Sequence, residues 1–164
     1  MEGKVEMLAK PDDTLKQFAN FLTWVGELRQ TGQNLWLVPI SAGKWSLREI
    51  LTHMMHWDKN SLEMMVPLMT EGAQLFFVDI EKHNQEAAVW AQSYQTLDAL
   101  IDDVIEARQQ LLELLDEEYD HTTTFTIDNE DYTYQKFVHV FIHHDEHHRK
   151  QIEAFLVQEK VTQD

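Results

Sequence analysis

The sequence contains 164 residues, enough for one domain that buries a core without disulfides or a structural metal, and its lack of cysteine excludes disulfide scaffolds, thiolate metal sites and a cysteine nucleophile. The 13 basic residues against 29 acidic residues give a formal charge of -16, which disfavours nucleic acid and anionic membrane surfaces as partners. No apolar run approaches the roughly 20 residues that cross a bilayer, and "MEGKVEMLAKPDD" lacks the apolar segment of a signal peptide, so a cytoplasmic protein is expected.

The first predicted element is a helix that follows "PDD" and ends near Gly32. "NLWLVPISAG" then reads as a connector, and the second helix starts within "KWSLREI". There Ser46 and Glu49 can form a capping box, while Trp45 and Ile50 occupy the positions of a hydrophobic staple. This second helix is expected to weaken near Pro67, because proline interrupts the helical hydrogen bonds.

The remaining pattern is helical with one exception. After a loop at "TEGAQLFF", helices are predicted over about 79–90 and 96–115. "DEEYDHTTTFTIDNEDYT" is polar and rich in threonine, which predicts an irregular or extended excursion. The last helix is expected over about 133–157, with a frayed end in "QEKVTQD". Four main helices with short links predict an all-α domain, an antiparallel four-helix bundle that spans residues 1–164.

Four of the nine histidines lie in the last predicted helix, in "HHDEHH" at residues 143–148. Helical phase places two of them on a mostly apolar stripe, which consists of Tyr134, Phe137, Phe141, His144, His148, Gln151 and Phe155. The other two share a polar row with Lys136, His139 and Lys150, which indicates a solvated face for His143 and His147. His144 and His148 are one turn apart, so their imidazoles can converge on one ion. Two hydrogen-bonded core histidines are the alternative, but burial without a shared partner would cost desolvation twice.

His53 is the predicted third ligand. It lies on an apolar row of the second helix with Ile50, Trp57 and Met64, whereas His56 shares its row with Lys59 and Glu63. Three protein ligands leave one coordination position open, as catalytic zinc sites do. Near these ligands, Gln151 is a candidate to bond a ligand or substrate. Trp57 and Tyr134 are candidates to line the pocket, although core packing is the expected role of both.

Other metal motifs fit the sequence less well. Residues 143–147 read H-x-x-E-H and residues 144–148 read H-D-x-x-H, which match metallopeptidase patterns only formally. The first uses the solvated face, and the second replaces the glutamate base with a shorter aspartate. A ferritin-like site would need E-x-x-H pairs on two helices, and the sequence does not contain two such pairs. Asp58, Asp145 and Glu146 are near the ligands in sequence, but Asp145 and Glu146 are expected to be solvated helix charges.

Two segments resemble the DinB/YfiT-like superfamily. "KWSLREILTHMMHWD" resembles its second-helix signature, and "HHDEHHRKQI" resembles its fourth-helix H-x3-H-R-x-Q ending. The resemblance implies an up-down-down-up four-helix bundle that binds a divalent metal through one histidine of the second helix and two of the fourth. By motif position these are His53, His144 and His148, the same three residues that helical phase selects. The sequence departs from the pattern with His56 and with "RKQ" in place of Arg-Gly-Gln.

The resemblance also implies a class of function. Characterised relatives include S-transferases that use bacillithiol or mycothiol and a thiol-dependent isomerase, and others are named only as metal-dependent hydrolases. It therefore implies a Zn²⁺ or Ni²⁺ enzyme that activates a thiol or water against a small-molecule substrate, with a low-molecular-weight thiol as a candidate cosubstrate. The alternatives are a non-catalytic small-molecule-binding or resistance protein with a structural metal, and a bundle whose acidic surface binds a protein partner. Relatives often form dimers, so a homodimer is consistent with the resemblance.

Overall fold

The computed structural model describes residues 13–163, so most of the N-terminal stretch discussed above and the final residue of "QEKVTQD" lie outside the described residues. Within this range the helices are α1 (Thr14–Thr31), α2 (Leu47–Asn60), α3 (Ile80–Ala91), α4 (Leu97–Glu118) and α5 (Tyr134–Gln163). The strands are β1 (Gln74–Leu75), β2 (Phe125–Ile127) and β3 (Glu130–Tyr132). None of the helices in the described part is both long and apolar enough to span a membrane.

Contacts between the helices fix their directions. Arg29 near the end of α1 pairs with Asp98 near the start of α4, so these two helices are antiparallel. Arg108 in the second half of α4 pairs with Asp58 near the end of α2, so α2 and α4 are parallel.

The direction of α5 follows from two contacts with the other helices. Trp57 and Phe141 have ring centroids 6.0 Å apart, while His53, one turn earlier on α2, lies 5.1 Å from His148, so α2 and α5 run in opposite directions. The bundle helices α1, α2, α4 and α5 thus follow an up-down-down-up order, and α3 packs against α2.

The helix starts agree with the sequence analysis. The Ser46 backbone N–H donates to Glu49 Oε1 at 3.0 Å, which is part of the predicted capping box. Asp79 and Thr96 cap α3 and α4 by accepting backbone N–H groups of the first turn. Gly32 follows the last residue of α1, and an added Cβ there would lie 2.8 Å from Leu47 Cδ2, so a larger residue would have to shift the Leu47 side chain.

The end of α2 departs from a regular helix. Residues Ser61–Met65 form a π-helical turn, and Val66–Leu68 form a short 3-10 turn that contains Pro67. The predicted weakening near Pro67 is confirmed. The wider π turn shifts the helical phase, so Met64 is 58% exposed and the prediction that it continues the apolar row of His53 is wrong.

The predicted extended excursion forms a small sheet. β2 and β3 are an antiparallel hairpin, and β1, from the segment predicted as a loop, pairs with β2 in parallel. Asp128 and Asn129 join the hairpin with positive φ angles of 52° and 67°, as a tight two-residue turn requires. This sheet covers a buried cluster that includes Phe125, Ile127 and Tyr132. α5 extends to Gln163, beyond the predicted end near residue 157.

Candidate metal centre

Three histidines converge between α2 and α5. His53 comes from the buried face of α2, and His144 and His148 lie one turn apart on α5. The Nε2 atoms of His53 and His144 are 3.1 Å apart, and those of His144 and His148 are 3.2 Å apart. His53 is 6% exposed, and the other two are half-buried. The structure therefore brings together the three residues selected from the sequence.

The donor-atom spacing fits a shared ion. Ligand nitrogens of a tetrahedral site with metal–nitrogen distances of about 2.0–2.1 Å lie about 3.3 Å apart. The two measured Nε2 separations, 3.1 and 3.2 Å, are close to this value. Each separation also fits an N–H···N hydrogen bond. His144 Nε2 faces both neighbours, however, and a single proton can form such a bond with only one of them. The geometry thus accommodates a cation that all three rings can share.

The environment keeps these imidazoles neutral. Burial, followed by the proximity of His148, lowers the pKa of His53 to about 3. Burial, followed by the charges that His148 and His53 would carry, lowers the pKa of His144 to about 3. Burial also lowers the pKa of His148. Since only a neutral imidazole has a lone pair for a metal, all three rings are in the ligand form near pH 7.

Neighbouring side chains orient the rings. His148 Nδ1 is 2.9 Å from Gln151 Oε1, so Nδ1 carries the proton and donates, which leaves Nε2 free to bind an ion. Gln151, a residue of the same stripe, therefore contacts one of the three histidines. The Trp45 ring lies 5.2 Å from the His53 ring, and Phe141 lies edge-on to His144 at 6.5 Å. These aromatic rings form the apolar walls of the cluster.

Two other predicted pocket residues contact different groups. Tyr134 is buried beside β2 and β3, and its hydroxyl donates to Met69 O at 2.8 Å. Trp57 is 8% exposed and packs on Phe141 and His83. Both belong to the buried cluster that the small sheet covers, in agreement with the core-packing role expected for them.

The exposed histidines of α5 behave as predicted. His143 and His147 are exposed and contribute no atom to the cluster of three rings. The inverted H-x-x-E-H pattern is therefore on the solvent face. The formal base of the H-D-x-x-H pattern, Asp145, is held in an ion pair on another side of α5.

The expectation that Asp145 is a solvated charge is wrong. Its side chain is only 14% exposed and accepts two hydrogen bonds from the buried Arg108. Arg108 also donates twice to Asp58 and once to Phe18 O, so all five of its N–H groups are used. The rings of Phe18 and Phe21 each lie 4.0 Å from the guanidinium carbon. One side chain of α4 thus connects α1, α2 and α5.

This network lies next to the histidines in sequence. Asp145 follows His144 directly, and Asp58 is five residues after His53. Burial alone would lower the pKa of Arg108, but the two carboxylates outweigh this effect and raise it. Burial raises the pKa of Asp145 to about 6, against the opposing effect of Arg108. Arg108 links α2 to α5 through Asp58 and Asp145, so it fixes the positions of His53 and His144 relative to each other.

A small cavity beside the α1–α2 connector reaches one of the three histidines, His148. Its volume is about 210 Å³, and its lining comprises Ile40, Gly43, Lys44, Trp45, Ile50, His148 and Gln151. Gly43 has a positive φ of 74°, which favours glycine and allows the turn that places Lys44 and Trp45 at the cavity. A larger cavity of about 610 Å³ lies between α1 and α5, and none of the three histidines lines it.

Two site features were missed in the sequence. Trp45 was assigned only to the helix staple, and nothing in the sequence showed that it would face His53. Arg108 carried a detectable signal, since it interrupts the apolar stripe of α4 between Val104 and Leu111. A buried arginine requires a carboxylate partner, and this would have pointed to Asp58 or Asp145.

The lowered histidine pKa values predict acid sensitivity of the metal-free protein. The unfolded state, with ordinary histidine pKa values near 6.5, binds more protons below that pH than the folded state does. The contribution of these neutral histidines to stability is thus fully present above about pH 7 and is lost on acidification. We expect the free energy of unfolding to fall by about 1–2 kcal/mol between about pH 7.5 and pH 6. Urea unfolding would measure this fall.

Below about pH 6 the raised pKa of Asp145 opposes the trend, because protonation of that carboxyl favours the folded state. The comparison is therefore confined to the higher window. The His144→Ala variant should show a smaller fall than the unaltered protein. Equal stability at both pH values would contradict neutral, buried imidazoles.

Comparison with known proteins agrees with the fold. The family profile of the DinB superfamily matches residues 14–152. The structure is similar to that of YfiT from Bacillus subtilis, described as a probable metal-dependent hydrolase with an unusual four-helix bundle topology. The TM-score is 0.66 at 16% identity, over 90% of this chain and 85% of that chain. None of the curated proteins compared matches significantly. With most of its length matched by the family profile, the chain belongs to the DinB superfamily.

Proposed function

We propose that this protein is a divalent-metal-dependent enzyme in which His53, His144 and His148 hold the ion. The main observation that supports this proposal is the convergence of three neutral imidazoles, whose neighbouring Nε2 atoms are 3.1 and 3.2 Å apart. A Zn²⁺ or Ni²⁺ ion would act there as a Lewis acid that brings the pKa of a water or thiol toward neutral. Three protein ligands leave a position for that nucleophile.

The residues around the histidines have separate roles in this proposal. Gln151 fixes the tautomer of His148 through the 2.9 Å hydrogen bond to Nδ1. Trp45 and Phe141 exclude bulk water from two sides of the cluster, which strengthens electrostatic interactions within it. Arg108 maintains the relative position of α2 and α5 through its carboxylate partners.

The nucleophile has to come from outside the chain. The sequence has no cysteine, and within residues 13–163 the lining of the adjacent cavity contains no serine, threonine or carboxylate. Water or a low-molecular-weight thiol meets this requirement. Lys44 at the same cavity is a cation in a strongly acidic protein, so it favours a substrate or thiol that bears a carboxylate.

Two lines of similarity support the two nucleophiles. YfiT, the structural relative, is described as a probable metal-dependent hydrolase, which supports water. The helix motifs resemble those of a superfamily whose characterised relatives include thiol-dependent S-transferases, which supports a thiol. Both reactions need the same ion and the same open position, so one set of assays separates them.

The test uses purified protein loaded with one equivalent of Zn²⁺ or Ni²⁺. One assay follows hydrolysis of a panel of activated esters and amides. The other combines an electrophilic halonitrobenzene with bacillithiol, mycothiol or cysteine. We expect metal-dependent turnover in one assay, and we expect His144→Ala to abolish it while the adjacent exposed variant His143→Ala retains it.

The outcomes distinguish the proposal from its alternative. Turnover that survives chelation, or that His144→Ala does not reduce, would overturn the proposed site. Stoichiometric metal with no turnover in either assay would favour a non-catalytic binding or resistance protein. A Lys44→Met variant should raise KM for carboxylate-bearing substrates more than for neutral ones, because only the former gain from the cation.

A further inference from the structure

A second group of metal-ligating side chains lies between α2 and α3. His56 comes from α2, and His83 and Glu86 come from one turn of α3. One ligand atom from each residue lies within 4.8 Å of the others. The group is separate from the three histidines described above, which it does not share, although His56 is only three residues from His53.

The rings and the carboxylate are already in contact. The imidazoles of His56 and His83 stack with centroids 3.7 Å apart and an interplanar angle of 1°. His56 Nε2 is 3.1 Å from Glu86 Oε1, close to the separation of about 3.3 Å expected for two ligands of one tetrahedral ion. One nitrogen of His83 lies within 4.8 Å of a ligand atom of each of the other two residues.

The buried side chain of His83 is the feature of this group that indicates a bound ligand. Its side chain is 3% exposed, and its Nε2 atom is buried without a hydrogen-bond partner among the described residues. Burial, followed by the proximity of His56, lowers the pKa of His83 to about 4, so the ring is neutral near pH 7. A buried imidazole nitrogen without a partner is costly, and a bound cation would supply the partner.

A purely structural role explains only part of this arrangement. Stacking of His56 on His83 helps α3 pack on α2, and Trp57 covers the other side of His83 at 4.2 Å. Such packing does not need Glu86, which is 52% exposed and is nevertheless held against His56. It also leaves the buried Nε2 of His83 unexplained.

We propose that His56, His83 and Glu86 form a second divalent-cation site. Two imidazoles and a carboxylate are the donor set of many Zn²⁺, Co²⁺ and Ni²⁺ sites. A cavity of about 520 Å³ beside them admits the ion from solvent, and Glu63 and Asp79 add negative charge to its lining, partly offset by Lys59 and Lys82. The proposal does not depend on the proposed enzyme activity.

The two sites influence each other through charge. His56 lies one turn after His53 on α2, so two ions bound at these groups would repel each other. An ion at His56, His83 and Glu86 therefore disfavours an ion at His53, His144 and His148, and the reverse holds by linkage. The two ions should therefore bind one after the other, with unequal affinities.

Isothermal titration of metal-free protein with Zn²⁺ tests the proposal. We expect two equivalents to bind to the unaltered protein and one to Glu86→Gln, because this substitution removes the carboxylate charge and keeps the shape of an exposed side chain. His144→Ala should also bind one equivalent, at the second site. Titration with Co²⁺ would give a second visible absorption change that Glu86→Gln lacks.

Matched variants separate the site from surface binding. Glu81→Gln, an exposed glutamate on the same helix outside the group, should keep both equivalents. So should His143→Ala with His147→Ala, which removes the exposed pair on α5. A stoichiometry that Glu86→Gln does not lower, or loss of the second equivalent in the His143 and His147 double variant, would overturn the proposal. Far-ultraviolet circular dichroism of each variant verifies the fold.

Discussion

Replacing His144 with alanine is expected to abolish stoichiometric binding of a divalent ion at the three-histidine centre. His144 Nε2 lies between its two partners, 3.1 Å from His53 and 3.2 Å from His148, so its removal leaves two rings without the central ligand. Loss of a residue that merely orients a ligand costs about 10–100-fold in metal affinity, and loss of a ligand should exceed that. Titration with Zn²⁺ in competition with a calibrated chelator measures the change.

His143→Ala is the matched control, since it removes an exposed imidazole from the adjacent position of the same helix. Its affinity for the first ion should equal that of the unaltered protein. Equal loss in both variants would show that the ion binds at the solvent face of α5. An unchanged affinity of His144→Ala for Zn²⁺ would show that the three histidines do not bind the ion.

Replacing Arg108 with methionine is expected to destabilise the protein by about 3–5 kcal/mol, the usual cost of breaking a buried ion pair. The change leaves the Asp58 carboxylate, 2% exposed, and the Asp145 carboxylate, 14% exposed, without their cation. It also removes the guanidinium that Phe18 and Phe21 cover. Urea unfolding gives the free energy.

Arg29→Met is the matched control, because Arg29 also pairs with two aspartates. Those partners, Asp98 and Asp102, are 63% and 67% exposed, and exposed pairs contribute about 0–1 kcal/mol. Combining Arg108→Met with leucine at positions 58 and 145 should restore most of the stability, since no buried charge is left unpaired. A cost for Arg108→Met no larger than for Arg29→Met would contradict a buried network.

The link between this network and the metal centre has a structural consequence. Arg108 fixes Asp58 on α2 relative to Asp145 on α5, and the ligands His53 and His144 lie on the same two helices. Variants that retain the fold but loosen this connection should therefore bind the first ion more weakly. The centre is stabilised by a residue that contributes no atom to it.

The three candidate ligands could be predicted from the sequence, because the face on which a helical residue lies depends only on local spacing. On a regular helix the spacing of apolar residues decides which side is buried, and this separated His144 and His148 from His143 and His147. The same reasoning placed His53 correctly on α2. The helix starts at Ser46 and Thr96 were also predictable, since caps depend on side chains within one turn.

What the sequence did not show depends on contacts between distant segments. The pairing of Arg108 with Asp58 and Asp145 spans three helices, and periodicity on one helix cannot indicate its partners. The stacking of His83 on His56 depends on how α3 packs on α2. The outward turn of Met64 follows from a π turn, which a regular helical period does not anticipate.

X-ray absorption at the zinc edge of protein loaded with one equivalent of Zn²⁺ would identify the ligands of the first ion, because it reports the ligand set without an assay for the substrate. A centre with three histidine ligands predicts scattering from three imidazoles at about 2.0–2.1 Å with one further light ligand. It also predicts that His53→Ala loses this spectrum while His147→Ala keeps it. A first ion with fewer than three imidazole ligands, or a spectrum unchanged by His53→Ala, would contradict a metal centre built from His53, His144 and His148.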